Sequence, residues 1–343
     1  MTGNSLQTFL PRLLRREDLS RDEAARFFEA LLHESATDAQ IAATLVALSV
    51  KGETVDELTG MASALRARAL RVNCTHRCYI DTAGTGSSPV KTFNISTAAA
   101  FVIAGAGLPV AKHGNRAASS NCGSADVLEA LGVNVSAIHS ISERALEEIG
   151  ICFMFAPLFH RATARVAGVR KQLGVQTVFN LLGPLSNPAA APRQVIGVWR
   201  RDLVEKLARV LAQLGTERAW VVHGSDGLDE ITLAGSTLVA EARDGAVRTF
   251  ELTPLDFGFS EAAVDHLRGG SAEVNAVIVR DVLSGARRDE ARALVVMTAA
   301  AALVVADKAQ DLRSAAQLAA ETIDSGVAAR KLDQLIAVTK TGA

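Results

Sequence analysis

The chain has 343 residues, 49% of them apolar, 21% charged and only 4% aromatic, with a formal net charge of −1. That length holds one large domain, or a large domain with a small partner, and the composition is that of a globular protein. The near-neutral balance argues against a broad nucleic-acid-binding surface.

Met1 to Arg16 holds no apolar run that could serve as a signal peptide. The first 70 residues read as a small helical unit with three capping boxes in succession: Ser20 with Glu23, Thr37 with Gln40, and Thr54 with Glu57. In each, a hydroxyl satisfies an N-terminal amide while the acid or amide side chain reaches back. Apolar residues at helical spacing follow, such as Phe27, Phe28, Leu31 and Leu32, then Ile41, Leu45 and Leu48. So short a segment cannot bury these faces alone, and a second subunit is expected to cover part of them. Cys74 and Cys78 flank His76, but the spacing is not that of a zinc knuckle and no second ligand pair follows. Four unpaired cysteines and no export signal point to the cytoplasm.

From Cys78 short apolar runs alternate with helical patterns. Leu108–Ala111, Ile151–Phe155, Val195–Trp199 and Ala219–Val222 are strand-like, and another strand is expected to end near Ile80. Helices are expected near Ser96–Gly105, Ser124–Leu131, Ser142–Ile149 and Asp202–Leu214. Such alternation implies a mostly parallel sheet covered by helices. Leu233–Phe259 reads as β-hairpins with a turn at Asp244-Gly245, and the last 60 residues return to helix. The longest apolar stretch, Ala293–Ala306, falls short of the roughly 20 residues that span a bilayer, so it reads as a buried helix.

Four segments carry chemistry. After the strand at Ile80 comes a loop with Gly84 and Gly86, then a helix start at Asn94-Ile95-Ser96-Thr97. Glycines let amides approach an anion, the helix N-terminus favours negative charge, and Thr92, Ser96 and Thr97 add hydroxyl donors. Alone, a plain turn with an N-cap explains such a pattern equally well. Lys112 to Ser124 (KHGNRAASSNCGS) gathers two cations, an imidazole, an amide and hydroxyls after a strand, where open α/β sheets bind ligands. Val169-Arg170-Lys171 and Phe179–Pro188 (FNLLGPLSNP) are expected to bracket a helix and a Pro/Gly-rich turn. Finally, Asp229-Glu230 follows a strand and the loop His223–Leu228. Adjacent carboxylates suit Mg²⁺, a hard cation that shares oxygen ligands with phosphates, although by itself such a pair is more often a solvated loop.

These segments in this order, DTAGTG…TFNIST, AKHGNRAASSNCGSADVLEALG, VRKQLG…VFNLLGPLSNP and VVHGSDGLDE, resemble the anthranilate phosphoribosyltransferase family along nearly the whole chain. Asn275-Ala276 and Thr298–Ala302 also fit. The resemblance implies a small N-terminal all-helical domain, 1–76, joined in space by helices from about 160–190. It also implies a large α/β domain, 77–343, with a mostly parallel central sheet covered by helices, and a homodimer through the helical domain. The substrates implied are phosphoribosyl pyrophosphate (PRPP) and anthranilate, with Mg²⁺ as cofactor and no nucleic acid or membrane as partner.

Residue by residue, the resemblance implies PRPP contacts at Gly84, Ser87, Ser88, Thr92, Asn94, Ile95, Ser96 and Thr97. The second loop adds Lys112, His113, Gly114, Asn115, Arg116, Ala117, Ala118, Ser119, Ser120 and Ser124. Anthranilate is expected at Gly84, His113, Asn115 and Arg170, and Mg²⁺ on Ser96, Asp229 and Glu230. Catalysis is expected to rest on positioning by Lys112, Asn115 and Arg170 rather than on a dedicated acid or base. The chain departs from the family at its first loop, where Ser87 and Ser88 stand in place of Gly and Asp, and at Arg161, where the family commonly has proline on the acceptor side. A paralogue with another aromatic or heterocyclic acceptor, or a non-catalytic PRPP-binding relative, is the alternative. A pyrimidine nucleoside phosphorylase shares the NRAASSNCGSADVLE region but usually carries a further C-terminal domain.

Overall fold

The computed structural model describes residues 6–86, 88, 90–117, 122–265 and 267–341. Helices α1 (Leu6–Leu14), α2 (Arg21–Leu32), α3 (Asp38–Lys51) and α4 (Val55–Arg68) open the chain. All three capping boxes form at the starts of α2, α3 and α4. Glu57 does more than cap: fully buried, it also accepts from the Leu19 amide and the Lys51 ammonium, tying two loops together. Gly60 lets α4 lie against α2, because a Cβ there would sit 2.1 Å from the Arg21 carbonyl oxygen.

Seven strands form one sheet: β1 (Ile80–Gly84), β2 (Val110–Gly114), β3 (Ile151–Phe155), β4 (Arg193–Gly197), β5 (Arg218–Gly224), β6 (Thr237–Arg243) and β7 (Ala246–Leu252). Their order is β3-β2-β1-β4-β5-β6-β7. The first five are parallel, and β6 and β7 add antiparallel at one edge. The hairpin turn falls at Asp244-Gly245, both with positive φ (51° and 79°), the geometry that makes Asp-Gly a hairpin signal. Between the strands lie α5 (Ile95–Gly105), α6 (Ser124–Ala130), α7 (His139–Ile149), α8 (Ala156–Phe159), α9 (Ala164–Leu173), α10 (Val178–Leu185) and α11 (Leu203–Gln213). The chain ends in α12 (Ala272–Leu283), α13 (Glu290–Val305), α14 (Leu312–Asp324) and α15 (Val327–Lys340).

Alternation along the strands divides the apolar residues between the two faces of the sheet. Val195, Trp220, Val222 and Val239 pack toward α5 and α13, whereas Ile196, Ala219, Val221 and Ala240 pack toward α11 and the N-terminal helices. Val166, Val169, Val178, Leu181, Leu182 and Leu185 of α9 and α10 share that second core with α1–α4. Helix α13 contains most of the alanine-rich apolar run and is almost wholly buried. Among the described residues no helix is long and apolar enough to cross a membrane.

Three expectations need correction. Strand β1 begins at Ile80 and runs to Gly84, instead of ending near Ile80. Strand β2 runs from Val110 to Gly114, so Lys112 and His113 lie within a strand and not in the loop after it. Their polarity hid this, but β3 pairs with all five of these residues and countercharges from neighbouring elements meet the buried lysine. Lastly, Val169–Lys171 lies inside α9 and Phe179 inside α10, so the two segments occupy successive helices and do not bracket one.

Candidate active site

The chain winds outward from β1 to β2 and β3, then returns to place β4 on the other side of β1. Loops leaving β1 and β4 therefore diverge, opening a crevice at the carboxyl ends of the strands, where doubly wound sheets bind ligands. A cleft of about 310 Å³ occupies this place. It is lined by Gly84, Ser88, Thr92, Asn94, Ile95, Ser96 and Thr97 from the first segment, and by Lys112, His113, Gly114, Asn115, Arg116, Ala117 and Ser124 from the second. Arg170, Asp229 and Glu230 complete the set. Ser87, Ala118, Ser119 and Ser120 lie outside the described residues.

The first loop is fastened at several points. The Thr85 amide donates to the Gly197 carbonyl at 2.9 Å, tying the end of β1 to the end of β4. Ser88, buried, donates its hydroxyl to the Gly227 carbonyl at 2.8 Å and accepts from the Val90 amide at 3.2 Å. Its hydroxyl thus links the first loop to the loop carrying Asp229 and Glu230. Lys91 also lines the cleft, and its charge favours ionised Asp229.

Asp229 and Glu230 retain access to the cleft although protein surrounds them. Burial raises the pKa of both, and the neighbouring Asp229 raises Glu230 further, against opposition from Lys112 and from the Ser96 amide and hydroxyl. Two desolvated carboxylates beside a serine hydroxyl form a hard-oxygen set that fits Mg²⁺. No third His, Cys, Asp or Glu joins them among the described residues, so phosphate oxygens and water would complete a shell. The loop is shaped for this place. A Cβ at Gly197 would lie 1.7 Å from the Asp229 carbonyl oxygen, so only glycine lets the carboxylate loop cross the end of β4. Asp226 accepts from the Leu228 amide at 3.1 Å and the Thr232 hydroxyl at 2.7 Å, holding the turn.

Lys112 is buried with its ammonium on the Thr82 carbonyl, between Asp81 and Glu230. Burial lowers its pKa, and those two carboxylates oppose the change. Burial likewise pushes Asp81 up to about 6, although Lys112, Asn187 and backbone amides pull it down. Asn187 donates to Asp81 at 2.7 Å and to the Ala111 carbonyl at 2.8 Å, which explains an asparagine in the SNP segment. His113 presents Nδ1 to the Gly183 carbonyl at 3.2 Å and packs 5.1 Å from the His160 ring. Burial holds His113 down to about 3 and His160 to about 4, so both are neutral at pH 7.

In the second loop Asp126 accepts from the Ala117 and Gly123 amides at 2.9 and 2.8 Å, closing the loop over its own helix start. Burial would raise Asp126, but these amides and Arg116 more than offset it. The guanidinium of Arg116 is committed to Asp126 and Glu129, at 3.0 and 2.8 Å. Sequence reading missed Asp126 and Asp226; Asp126 stands three residues after Gly123, a position that signals an N-terminal cap.

Arg170 faces the opposite wall, its guanidinium 4.9 Å from the Phe179 ring centroid. Burial lowers its pKa, and no carboxylate among the described residues pairs with it. Ala156, Asn180, Gly183 and Pro184 line the same side. Arg161 is exposed and does not reach the cleft.

Residues 7–69 match the helical bundle domain of a glycosyl transferase family, and residues 76–329 match that family's a/b domain. The chain is 51% identical to an anthranilate phosphoribosyltransferase of Desulfosudis oleivorans over 97% of its own length and 98% of the relative's. It superposes on the crystal structure of anthranilate phosphoribosyltransferase from Thermus thermophilus with a TM-score of 0.90 at 40% identity, covering 96% of this chain and 99% of that one. The Saccharomyces cerevisiae enzyme in complex with PRPP and Mg gives a TM-score of 0.90 at 27% identity, covering 99% of both chains. Matched end to end in sequence and in fold, the chain belongs to the anthranilate phosphoribosyltransferase family.

Proposed function

We propose that the protein transfers the 5-phosphoribosyl group of PRPP to the amine of anthranilate, giving N-(5-phosphoribosyl)anthranilate and pyrophosphate, a step of tryptophan biosynthesis. One observation carries the reading: groups of opposite charge line one cleft. The desolvated carboxylates Asp229 and Glu230 stand beside the Ser96 hydroxyl, and Arg170, which no carboxylate among the described residues pairs with, lines the same cleft.

In this reading the pyrophosphate of PRPP lies against the first loop and the start of α5, with Lys112 beneath. Ser96, Asp229 and Glu230 hold Mg²⁺, which supplies charge neutralisation for the leaving group. Arg170 holds the anthranilate carboxylate in fork geometry while stacked on Phe179, with Gly84, His113 and Asn115 lining the approach. The bond from C1′ to pyrophosphate breaks with its electron pair on the leaving group. The amine lone pair forms the new bond to C1′, and the amine loses a proton. Because anthranilate's amine is already neutral at pH 7, orientation and electrostatic stabilisation supply the catalysis. His113, held neutral and backed by the His160 ring, gives the acceptor side an uncharged face.

The helical unit, 1–76 with the helices of 160–190, is proposed to move against the unit 77–343 and to form a homodimer. Exposed Leu14, Val46 and Val50 on α1 and α3 support a partner there. Four free cysteines support a reducing compartment, the cytoplasm.

Purified protein mixed with PRPP, Mg²⁺ and anthranilate tests the reading, since consumption of anthranilate extinguishes its fluorescence. Turnover dependent on all three is expected. Calorimetric PRPP binding without anthranilate turnover would instead favour a paralogue with another acceptor or, if no acceptor gives product, a non-catalytic PRPP-binding relative.

A further inference from the structure

Asparagine is among the best helix N-caps, its side-chain oxygen accepting from an amide of the first turn. Asn94 stands at the N-cap of α5 yet makes no such bond. Its oxygen is turned the other way, accepting from Asn275 Nδ2 at 3.0 Å and from the Cys122 thiol at 3.4 Å. Asn275, on the first turn of α12 and 2% exposed, accepts in turn from the Gly270 amide at 2.8 Å. Asn94 Nδ2 donates to the Cys122 carbonyl at 3.3 Å. A fixed backbone donor at one end and a fixed backbone acceptor at the other thereby set the orientation of both amides. The strand of chain before α12 is pressed against the loop before α5, because a Cβ at Gly269 would lie 2.4 Å from the Thr92 carbonyl oxygen.

The first-turn amides of α5 consequently stay out of reach of the Asn94 side chain. The Ser96 amide and hydroxyl face Glu230, the Ile95 amide donates to the Phe93 carbonyl at 2.8 Å, and the Thr97 amide donates a longer bond of 3.2 Å to the Asn94 carbonyl. We propose that Asn275 is a positioning residue for the phosphate end of the cleft: it draws the Asn94 oxygen away from α5, so that the Asn94 side chain does not cap its own helix and the Thr97 amide, held only by a long bond to a backbone carbonyl, stays available to the pyrophosphate of PRPP. This inference rests on the PRPP reading above. Asn275 touches no reacting group; it acts through Asn94. Without it, the Asn94 side chain rotates into the vacant cap and competes with the anion for the same amides.

The test uses the full chain and calorimetric titration with PRPP in saturating Mg²⁺, with amide hydrogen exchange at Ser96 and Thr97. Asn275→Ala is expected to weaken PRPP about five- to tenfold, the scale of one N-cap interaction, and to leave the anthranilate KM unchanged. In the unliganded variant the first-turn amides are expected to exchange more slowly than in wild type, because a self-cap protects them. In an Asn94→Gly background, which has no side chain to swing, Asn275→Ala is expected to add nothing to the loss. Faster exchange at Ser96 and Thr97, or additive losses in the double variant, would overturn the proposal by showing simple loosening. Should the alanine variant fail to fold, Asn275→Asp keeps the acceptor for Gly270 and sets oxygen against the Asn94 oxygen, with the same expected outcomes. Wild-type protein that binds no PRPP would refute the PRPP reading itself, whatever the variants do.

Discussion

Replacing Arg170 by alanine removes a cation that no carboxylate among the described residues pairs with. Its guanidinium lies 4.9 Å from the centre of the Phe179 ring, and burial has already lowered its pKa. A paired, charge-assisted fork to a substrate carboxylate is worth about 1.5–3 kcal/mol, so the anthranilate KM should rise about 10- to 150-fold. The KM for PRPP should move less than about twofold, because the proposed arrangement puts Arg170 on the acceptor wall and the phosphate groups at the other. Stability should change little, since the lost cation–π contact of about 0.5–1 kcal/mol is offset by no longer burying an unpaired charge. Arg170→Lys should recover only part of the loss, because an ammonium keeps the charge without the planar fork. Steady-state kinetics by anthranilate fluorescence, each substrate varied at saturation of the other, measures both constants. An unchanged anthranilate KM, or an equal rise in both, would refute the assignment of this arginine to the acceptor.

Asp229→Ala combined with Glu230→Ala should abolish stimulation by Mg²⁺ while anthranilate still binds, measured by activity against metal concentration and by fluorescence titration. Gly197→Ala should do the same without touching a polar group, because its Cβ meets the Asp229 carbonyl at 1.7 Å; retained far-UV dichroism with lost metal response is the expected pair of results. His160, depressed by burial to about 4 from 6.5, contributes stability that is present above pH 6.5 and lost as pH falls through 4. His160→Gln should therefore flatten the decline in melting temperature between pH 7 and 4, removing up to about 3 kcal/mol of pH-dependent stability; superimposable profiles would contradict it.

Local signals were the most legible part of the sequence. Ser20, Thr37 and Thr54 each open a helix where the capping pattern placed one, and Asp244-Gly245 turns the hairpin, because such motifs depend on neighbours within a few residues. Strand ends at the site were harder. Lys112 and His113 look like loop residues in the sequence and lie in β2, since the charges that oppose the lysine's burial penalty, Asp81 and Glu230, come from 31 and 118 residues away. Ser88 lines the cleft as the sequence suggests, but the sequence does not show that its hydroxyl also ties the loop to Gly227 and Val90. Its partner loop is remote in the chain, and spacing carries no trace of it.

By itself the sequence determined the helical start, the alternation of strand and helix, and most of the residue types that line the cleft. Those follow from short-range periodicity and from the chemistry of side chains taken singly. Only the tertiary structure decided that Asn275 reaches Asn94, that Gly197 must be bare for Asp229 to pass, and that Arg170 meets the Phe179 ring and no carboxylate among the described residues. Each of these depends on which strand lies next to which, and a sheet is assembled from segments far apart in the chain. Close approach and the presence or absence of a partner are properties of that assembly.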